Sequence, residues 1–158
     1  MSNAHDTDTN AAGTARPSPS PLPFEPSSPI AAAFDGGLAV RRKVLGDTHV
    51  DRALGNAGAF QADLQELVTA FAWGTVWTRE GLPLKTRSML TVAMLVALGK
   101  QKELEGHVRG ALNNGVSVDE LKEVLLHSAV YCGFPAAIEG FRTAAGVIEQ
   151  YGKEVKGG

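Results

Sequence analysis

From about residue 35 onward, apolar side chains return every three or four positions, the spacing of helices with one buried face. The stretch Lys100 to Gly133 (KQKELEGHVRGALNNGVSVDELKEVLLHSAVYCG) is the most informative. Leu104, His107, Val108, Ala111 and Leu112 form the stripe of one helix. Asn113-Asn114-Gly115 ends it, because Asn and Gly accept the left-handed backbone of a helix stop. Ser117-Val118-Asp119-Glu120 then has the form of a capping box, in which hydroxyl and carboxylate each satisfy a free amide. In the second helix Val118, Leu121, Val124, Leu125, Ser128 and Ala129 are expected to face inward, with Cys132 a small buried residue before Gly133. The two helices read as an antiparallel pair.

The same pattern places the other elements. Leu38, Val40, Arg41, Arg42, Val44 and Leu45 predict a short helix stopped at Gly46, and Asp47 is placed to cap a second, DTHVDRALG, ending at Gly55 with His49 on its surface. A longer helix is predicted from Phe60 to Trp77, with Phe60, Leu64, Leu67, Val68, Phe71, Gly74 and Thr75 as its packed stripe. Gly81 and Pro83 break it and open the next helix, since Pro suits a first turn. That next helix, SMLTVAMLVALG, is apolar almost all round, which argues for burial between subunits as well as within one. A last helix runs from Pro135 to Tyr151 with Ile138, Phe141, Ala145 and Ile148 inward, and a polar end from Lys153 to Gly158 is expected to fray. The reading is therefore an all-α domain of six to seven helices over residues 35–152. Residues 1–34 differ in kind: six of the eight prolines lie between Pro17 and Pro29 among Ser, Thr, Ala and Asn. Such a segment has too little apolar side chain to offset its ordering entropy and is expected to be disordered, with Phe24, Ile30 and Phe34 free to dock locally.

Composition narrows the function classes. The chain has 158 residues, 44% of them apolar, and a net charge of -2. Length allows one domain with a real core. No basic patch suggests nucleic acid as a partner. No apolar run approaches the roughly 20 residues that span a bilayer, so no membrane association is expected. The N-terminus lacks a basic segment followed by an apolar one, so no secretory signal is expected and a cytoplasmic location is the default. The single cysteine, Cys132, excludes an internal disulfide framework and a CxxC redox pair.

Four groups of residues carry candidate chemistry. Glu103 precedes His107 by one helical turn, which suits either a catalytic pair or a core histidine held by a hydrogen bond. Lys85, Thr86 and Arg87 occupy the first turn of a helix, where cations oppose the dipole unless an anion binds between them or acids pair with them. Arg87 shares a face with Leu90, Thr91 and Met94 and is the better placed to point inward, with Lys85 solvated. Trp73 and Trp77, one turn apart, either fill a core or interface or wall a planar ligand site. Glu120, Glu123, His127 and Tyr131 share a flank, so His127 is either an interface histidine or a second reactive group.

Several strings together resemble the 4-carboxymuconolactone decarboxylase family: Arg41-Arg42-x-Val44-Leu45-Gly46, Trp73-Gly74-x-x-Trp77-x-Arg79-x-Gly81-Leu82, Thr86-Arg87-Ser88-x-Leu90-Thr91, His107-x-x-x-Ala111-Leu112-Asn113-Asn114-Gly115-Val116 and Tyr131-Cys132-Gly133-x-Pro135. The resemblance covers about residues 38–150. It implies the all-helical bundle of the alkylhydroperoxidase-D-like superfamily, assembled as a homo-oligomer, a trimer or hexamer. Redox relatives place a CxxC before the histidine; here Lys100 and Glu103 stand there, so peroxidase chemistry is not expected. What the resemblance implies instead is decarboxylation of 4-carboxymuconolactone to 3-oxoadipate enol-lactone in protocatechuate degradation, with no metal or organic cofactor. On that basis His107 is expected as general acid, Glu103 as its orienting and charge-balancing partner, and Arg87 as the ligand of the substrate's acetate carboxylate. His127 is held in reserve for the oxyanion or second carboxylate, and Trp73 and Trp77 are expected to contact substrate. A related lactone or small-acid enzyme, or a noncatalytic helical oligomer, are the alternatives.

Overall fold

The computed structural model describes residues 31–157. Over these residues the chain forms seven α-helices and one π-helical segment and no strand. The expected Pro-rich tail, including Phe24 and Ile30, lies outside the described residues up to residue 30. Its last residues do not belong to it: α1 spans Ala31–Leu45, and Phe34 is fully buried. α2 (Asp47–Gly55) follows at once, and Gly46, at φ 87°, occupies the cap position expected for Asp47. Positive φ is open to glycine, so the chain can turn sharply there. Asp47 is used differently: with Asp51 it accepts hydrogen bonds from Arg42, at 3.4 and 2.6 Å.

α3 (Gly58–Leu67) runs without interruption into the π segment, Val68–Trp77. Sequence periodicity predicts one regular helix here, and its stripe is corrected. Phe60, Leu64, Leu67 and Phe71 are all exposed on the single chain, Phe60 at 98%, while Glu66, Thr69, Ala70 and Trp73 are buried. Two causes act together. From Val68 onward the wider turns of the π-helix, closed by i→i+5 bonds, shift the face away from 3.6-residue spacing. The face turned inward is also the one that α1 can approach most closely. A Cβ placed on Gly37 would lie 2.1 Å from the Thr69 carbonyl oxygen, and one on Gly74 would lie 2.2 Å from the Ala33 carbonyl oxygen. Both distances are forbidden, so backbone meets backbone through two glycines.

The remaining helices are α4 (Leu84–Ala97), α5 (Gln101–Asn113), α6 (Val118–Cys132) and α7 (Phe134–Gly157). α5 packs on α1, α4 and α7, and α6 on α4 and α7. The two stretches read as an antiparallel pair therefore lean on shared neighbours rather than flat against each other. The capping box at Ser117 and Glu120 forms as expected, with both reciprocal bonds present. Val92, Val96, Leu104, Val108, Leu121 and Leu125 centre the main core, and Val44, Val50, Leu54 and Trp73 a second one.

Several inward assignments are reversed. Val118, Cys132, Ile138 and Ala145 are exposed, and α7 buries Ala137, Gly140 and Ala144 instead. The reason is close approach: a Cβ on Gly140 would come 2.9 Å from Val96 Cγ2, so α7 presents its small residues to α4. α4 buries Ser88, Val92 and Val96 but leaves Leu90 and Met94 open, and Leu98 at its C-cap is open too. The expected fray at Lys153 does not occur. α7 continues to Gly157, and Glu154 receives a forked pair of bonds from Arg109 at 2.6 and 2.9 Å. No helix among the described residues is long and apolar enough to cross a membrane.

The glycine contact gives a paired test. Gly74→Ala is expected to destabilise the fold by about 3 kcal/mol or more, since backbone must move to admit the methyl group. Gly36→Ala, where nothing lies within 4 Å, is expected to be neutral or to stabilise by about 1 kcal/mol through helix propensity. Urea unfolding of the two variants measures both.

Candidate active site

His107 is delivered by α5, one residue before buried Val108, and meets the π segment. Its ring lies parallel to Trp73 with centroids 6.0 Å apart, and 6.2 Å from Trp77 at 31°. The two indoles themselves stand 4.6 Å apart. The structure thus brings together three of the expected site residues. Trp73 and Trp77 both fill core and wall the histidine, so the two readings of the pair are not exclusive.

The imidazole is electrostatically unusual. Nδ1 is buried and has no hydrogen-bond partner. Burial, then the neighbouring His49 and Arg41, hold the pKa of His107 down at about 4, against a small upward pull from Glu103. At neutral pH the ring is therefore uncharged. The expected Glu103–His107 hydrogen bond is not formed among the described residues: Glu103 is exposed and acts on the ring only through its charge. One turn of separation puts two side chains within reach without obliging them to bond.

His49, expected at the surface, is exposed, yet its ring also rests on the backbone of α5. A Cβ on Gly106 would lie 3.2 Å from His49 Cε1, so glycine there admits the ring. Its pKa is lowered, first by burial and then by Arg41, Arg52 and Arg109. His49 also lines a polar cleft of about 580 Å³ with Arg52, Lys102, Gly106, Arg109 and Glu154.

Sequence reading placed Arg41 in a helix and in a family string but did not single it out as a site residue. Its side chain is only 6% exposed, and it donates to Thr69 Oγ1 at 2.8 Å and Gln65 Oε1 at 2.9 Å. Burial, and then Arg42, lower its pKa, but a guanidinium stays charged. The available signal was the Arg41-Arg42 pair inside an amphipathic helix. Adjacent residues point about 100° apart, so Arg41 and Arg42 face different surroundings, and spacing alone does not say which of them turns inward.

Arg87 is half-buried and donates to the Arg79 carbonyl at 2.9 Å, two residues beyond Trp77. Lys85, expected to be solvated, pairs with Glu120 at 2.8 Å, and this bond lowers the Glu120 pKa. His127 belongs to another face. It is exposed, tilts against Tyr131 at 4.8 Å, and lines an apolar depression of about 640 Å³ with Thr86, Met89, Leu90, Ala93 and Val130. No contact joins it to His107 or the tryptophans among the described residues.

Comparison with known proteins now bears on this arrangement. The sequence pattern of the Carboxymuconolactone decarboxylase family matches residues 62–146. The chain is 48% identical over 119 residues to the 4-carboxymuconolactone decarboxylase of Acinetobacter baylyi, covering 75% of this chain and 89% of that protein. It is 51% identical over 106 residues to the nitrosuccinic acid decarboxylase of Metarhizium robertsii, covering 67% of this chain and 74% of that one. The chain belongs to the carboxymuconolactone decarboxylase family. In this family member the matched region carries Trp73, Trp77, Arg87, Glu103, His107 and His127, whereas Arg41 and His49 enter the cluster from α1 and α2, outside it.

The neutral state of His107 has a measurable consequence. Its pKa is about 4 in the folded protein and ordinarily 6.5, so between these values the unfolded chain binds a proton that the folded one does not. Stability should fall as pH drops from 6.5 to 4, by at most about 3 kcal/mol from His107. Urea unfolding at pH 7.5 and pH 4.5 should show a smaller acid loss for His107→Gln than for the unmodified protein. An equal loss would mean that His107 is not held neutral.

Proposed function

We propose that this protein decarboxylates 4-carboxymuconolactone to 3-oxoadipate enol-lactone and carbon dioxide without metal or organic cofactor. The observation that carries the reading is the 48% identity to the Acinetobacter baylyi decarboxylase across 89% of its length. The His107–tryptophan cluster suits the chemistry. The departing carboxylate sits on a ring carbon conjugated through a double bond to the lactone carbonyl. When that carbon–carbon bond breaks, its electron pair flows to the carbonyl oxygen and carbon dioxide leaves. The resulting dienolate then needs one proton on carbon. The substrate is its own electron sink, so the protein has to hold two carboxylates, stabilise the oxyanion and supply that proton.

In this mechanism His107 is neutral in the free enzyme and gains a proton when the doubly negative substrate binds beside it. It delivers that proton to the dienolate carbon and recovers it from solvent. Glu103 adds negative charge one turn away, which favours the protonated ring. Arg87 holds the acetate arm rather than the leaving carboxylate, because tight ground-state binding of the leaving group would raise the barrier. Trp73 and Trp77 present an apolar wall to the lactone ring. His127 takes part only if a neighbouring subunit brings it close.

A second reading rests on the 51% identity to the nitrosuccinic acid decarboxylase. Nitrosuccinic acid also carries two carboxylates, and its nitro group can accept the electron pair in place of the lactone carbonyl. The same protein parts would serve either acid.

Self-assembly completes the proposal. Phe60, Leu64 and Phe71 on α3 and the π segment are open on the single chain, as are Met94, Val130 and Phe134 on α4, α6 and α7. Exposed apolar surface of this extent is the mark of an interface, and a trimer or hexamer fits the family. A lone exposed thiol, Cys132, is compatible with the reducing cytoplasm.

Carbon dioxide release from freshly generated 4-carboxymuconolactone, measured with a chelator present, is the direct test, with nitrosuccinate run in parallel. Chelator-insensitive release well above the spontaneous rate is expected from the lactone, and His107→Ala should lower kcat by about 100-fold or more. Release only from nitrosuccinate would move the assignment to the second reading. Near-unchanged turnover by His107→Ala would remove His107 from the proton transfer. Light scattering should give a mass that is a multiple of 16.6 kDa, and Met94→Glu should shift it toward the single chain.

A further inference from the structure

Three arginines have a buried Nε with no hydrogen-bond acceptor: Arg41, Arg42 and Arg87. Arg42 is neutralised, since its guanidinium meets the carboxylates of Asp47 and Asp51 and its pKa is raised by them, the Asp51 hydrogen bond first. The other two meet only neutral oxygens. Arg41 donates to Thr69 and Gln65, and Arg87 to the Arg79 carbonyl. Among the described residues neither forms an ion pair. Arg41 is buried and Arg87 half-buried. A buried cation without a counter-charge, as at Arg41, is costly, and a guanidinium cannot shed its proton to relieve the cost. An arriving carboxylate relieves it, and can do so in two parallel hydrogen bonds.

The placement of these two cations is the second observation. The bonds of Arg41 go to Gln65 and Thr69, where the π segment begins. The bond of Arg87 goes to Arg79, two residues after the segment ends. Between them stand Trp73 and Trp77, and the His107 ring packs against both. Along the π segment the order is therefore cation, indole, indole, cation, with the imidazole facing the middle.

We propose that Arg41 and Arg87 form a two-point clamp for a dicarboxylate, one at each end of the π segment, with His107 between them. Arg41 is the new member, added to the Arg87 expected from the sequence. The inference deepens the decarboxylase reading and rests on it for the identity of the acid. Thr69 and Gln65 each take one N–H of an outer nitrogen of Arg41 and fix the guanidinium plane, while Nε–H and the remaining outer N–H groups have no acceptor among the described residues. The clamp reads the two carboxylates and places no demand on the group between them. That accounts for one scaffold serving relatives named for a lactone dicarboxylate and for nitrosuccinic acid.

The test uses inert probes. Both tryptophans of the chain lie in the cluster, so intrinsic fluorescence reports binding without turnover. Adipate is the dicarboxylate and hexanoate its single-carboxylate counterpart. The intact protein is expected to bind adipate about tenfold or more tightly than hexanoate. Arg41→Met and Arg87→Met should each bring the two affinities within about threefold of one another. Arg41→Lys, which keeps the charge and loses the planar fork, decides the matter if Arg41→Met does not fold; it should lose several-fold of the preference. A folded Arg41 variant that keeps the full preference for adipate overturns the clamp, and so does an intact protein that binds both acids equally. The reaction assay separates the two readings. Adipate preference lost on Arg41 substitution, with no carbon dioxide released from the lactone, leaves the clamp standing and the substrate assignment wrong. Rapid decarboxylation with KM unchanged in Arg41→Lys leaves the reaction standing and the clamp wrong.

Discussion

Two glycines let the backbones of α1 and the π segment touch, and the rest of the site follows from that contact. With Gly37 against the Thr69 carbonyl and Gly74 against the Ala33 carbonyl, α1 lies along the segment with no side chain between. Phe34 is then sealed inside, and Arg41 comes directly over Thr69 and Gln65. The opposite consequence is felt by α5. Gly110 accepts Val44 and Leu45 against its bare Cα, and Asn113 ties itself to the Val44 carbonyl at 2.8 Å. α5 is thereby fixed beside α1, and His107, one turn earlier, is carried onto Trp73 and Trp77. Packing of a few hydrogen-sized positions decides where a reactive ring stands.

The cluster made this way is poor in negative charge. His107 is uncharged at neutral pH because burial and neighbouring positive groups oppose its protonation. Arg41 is charged and buried with neutral acceptors only. Elsewhere the chain pairs its charges in the ordinary way, as in Arg42 with Asp47 and Asp51, Arg109 with Glu154, and Lys85 with Glu120. Among the described residues Arg41 differs from these in being buried with no acid beside it. Such an arrangement lowers stability in the free protein and is held in place by the two apolar cores around it. A doubly negative ligand supplies what the cluster lacks.

Much of the fold was legible in the sequence, and the misreadings share one cause. The capping box, the stops at Gly46, Gly115 and Gly133, and the number of helices depend on residues close in the chain, and the structure agrees with each. The stripe of Phe60, Leu64, Leu67 and Phe71 and the inward place of Ile138 depended on which face meets another helix. There, small residues permit closer approach than large ones, so Gly37, Gly140 and Ala144 went inside, Gly74 packed as expected, and the bulky side chains stayed open. For the site, His107, Trp73 and Trp77 were visible as candidates, but their contact was not. Glu103 had the right spacing and made no bond, because spacing sets reach and not partner choice. Arg41 was hidden because a charged residue in an amphipathic helix is ordinarily solvated.

Helix boundaries, the family strings and the identity of the chemistry-bearing side chains reside in the sequence alone, since each rests on the backbone and side-chain chemistry of a few adjacent residues. Which face is buried, whether His107 carries a proton, and which arginine is left without an acid were decided by tertiary structure. The physical reason is that burial and electrostatic environment sum over neighbours from α1, α2, α5 and the π segment, positions up to 66 residues apart between Arg41 and His107. No local pattern encodes that sum.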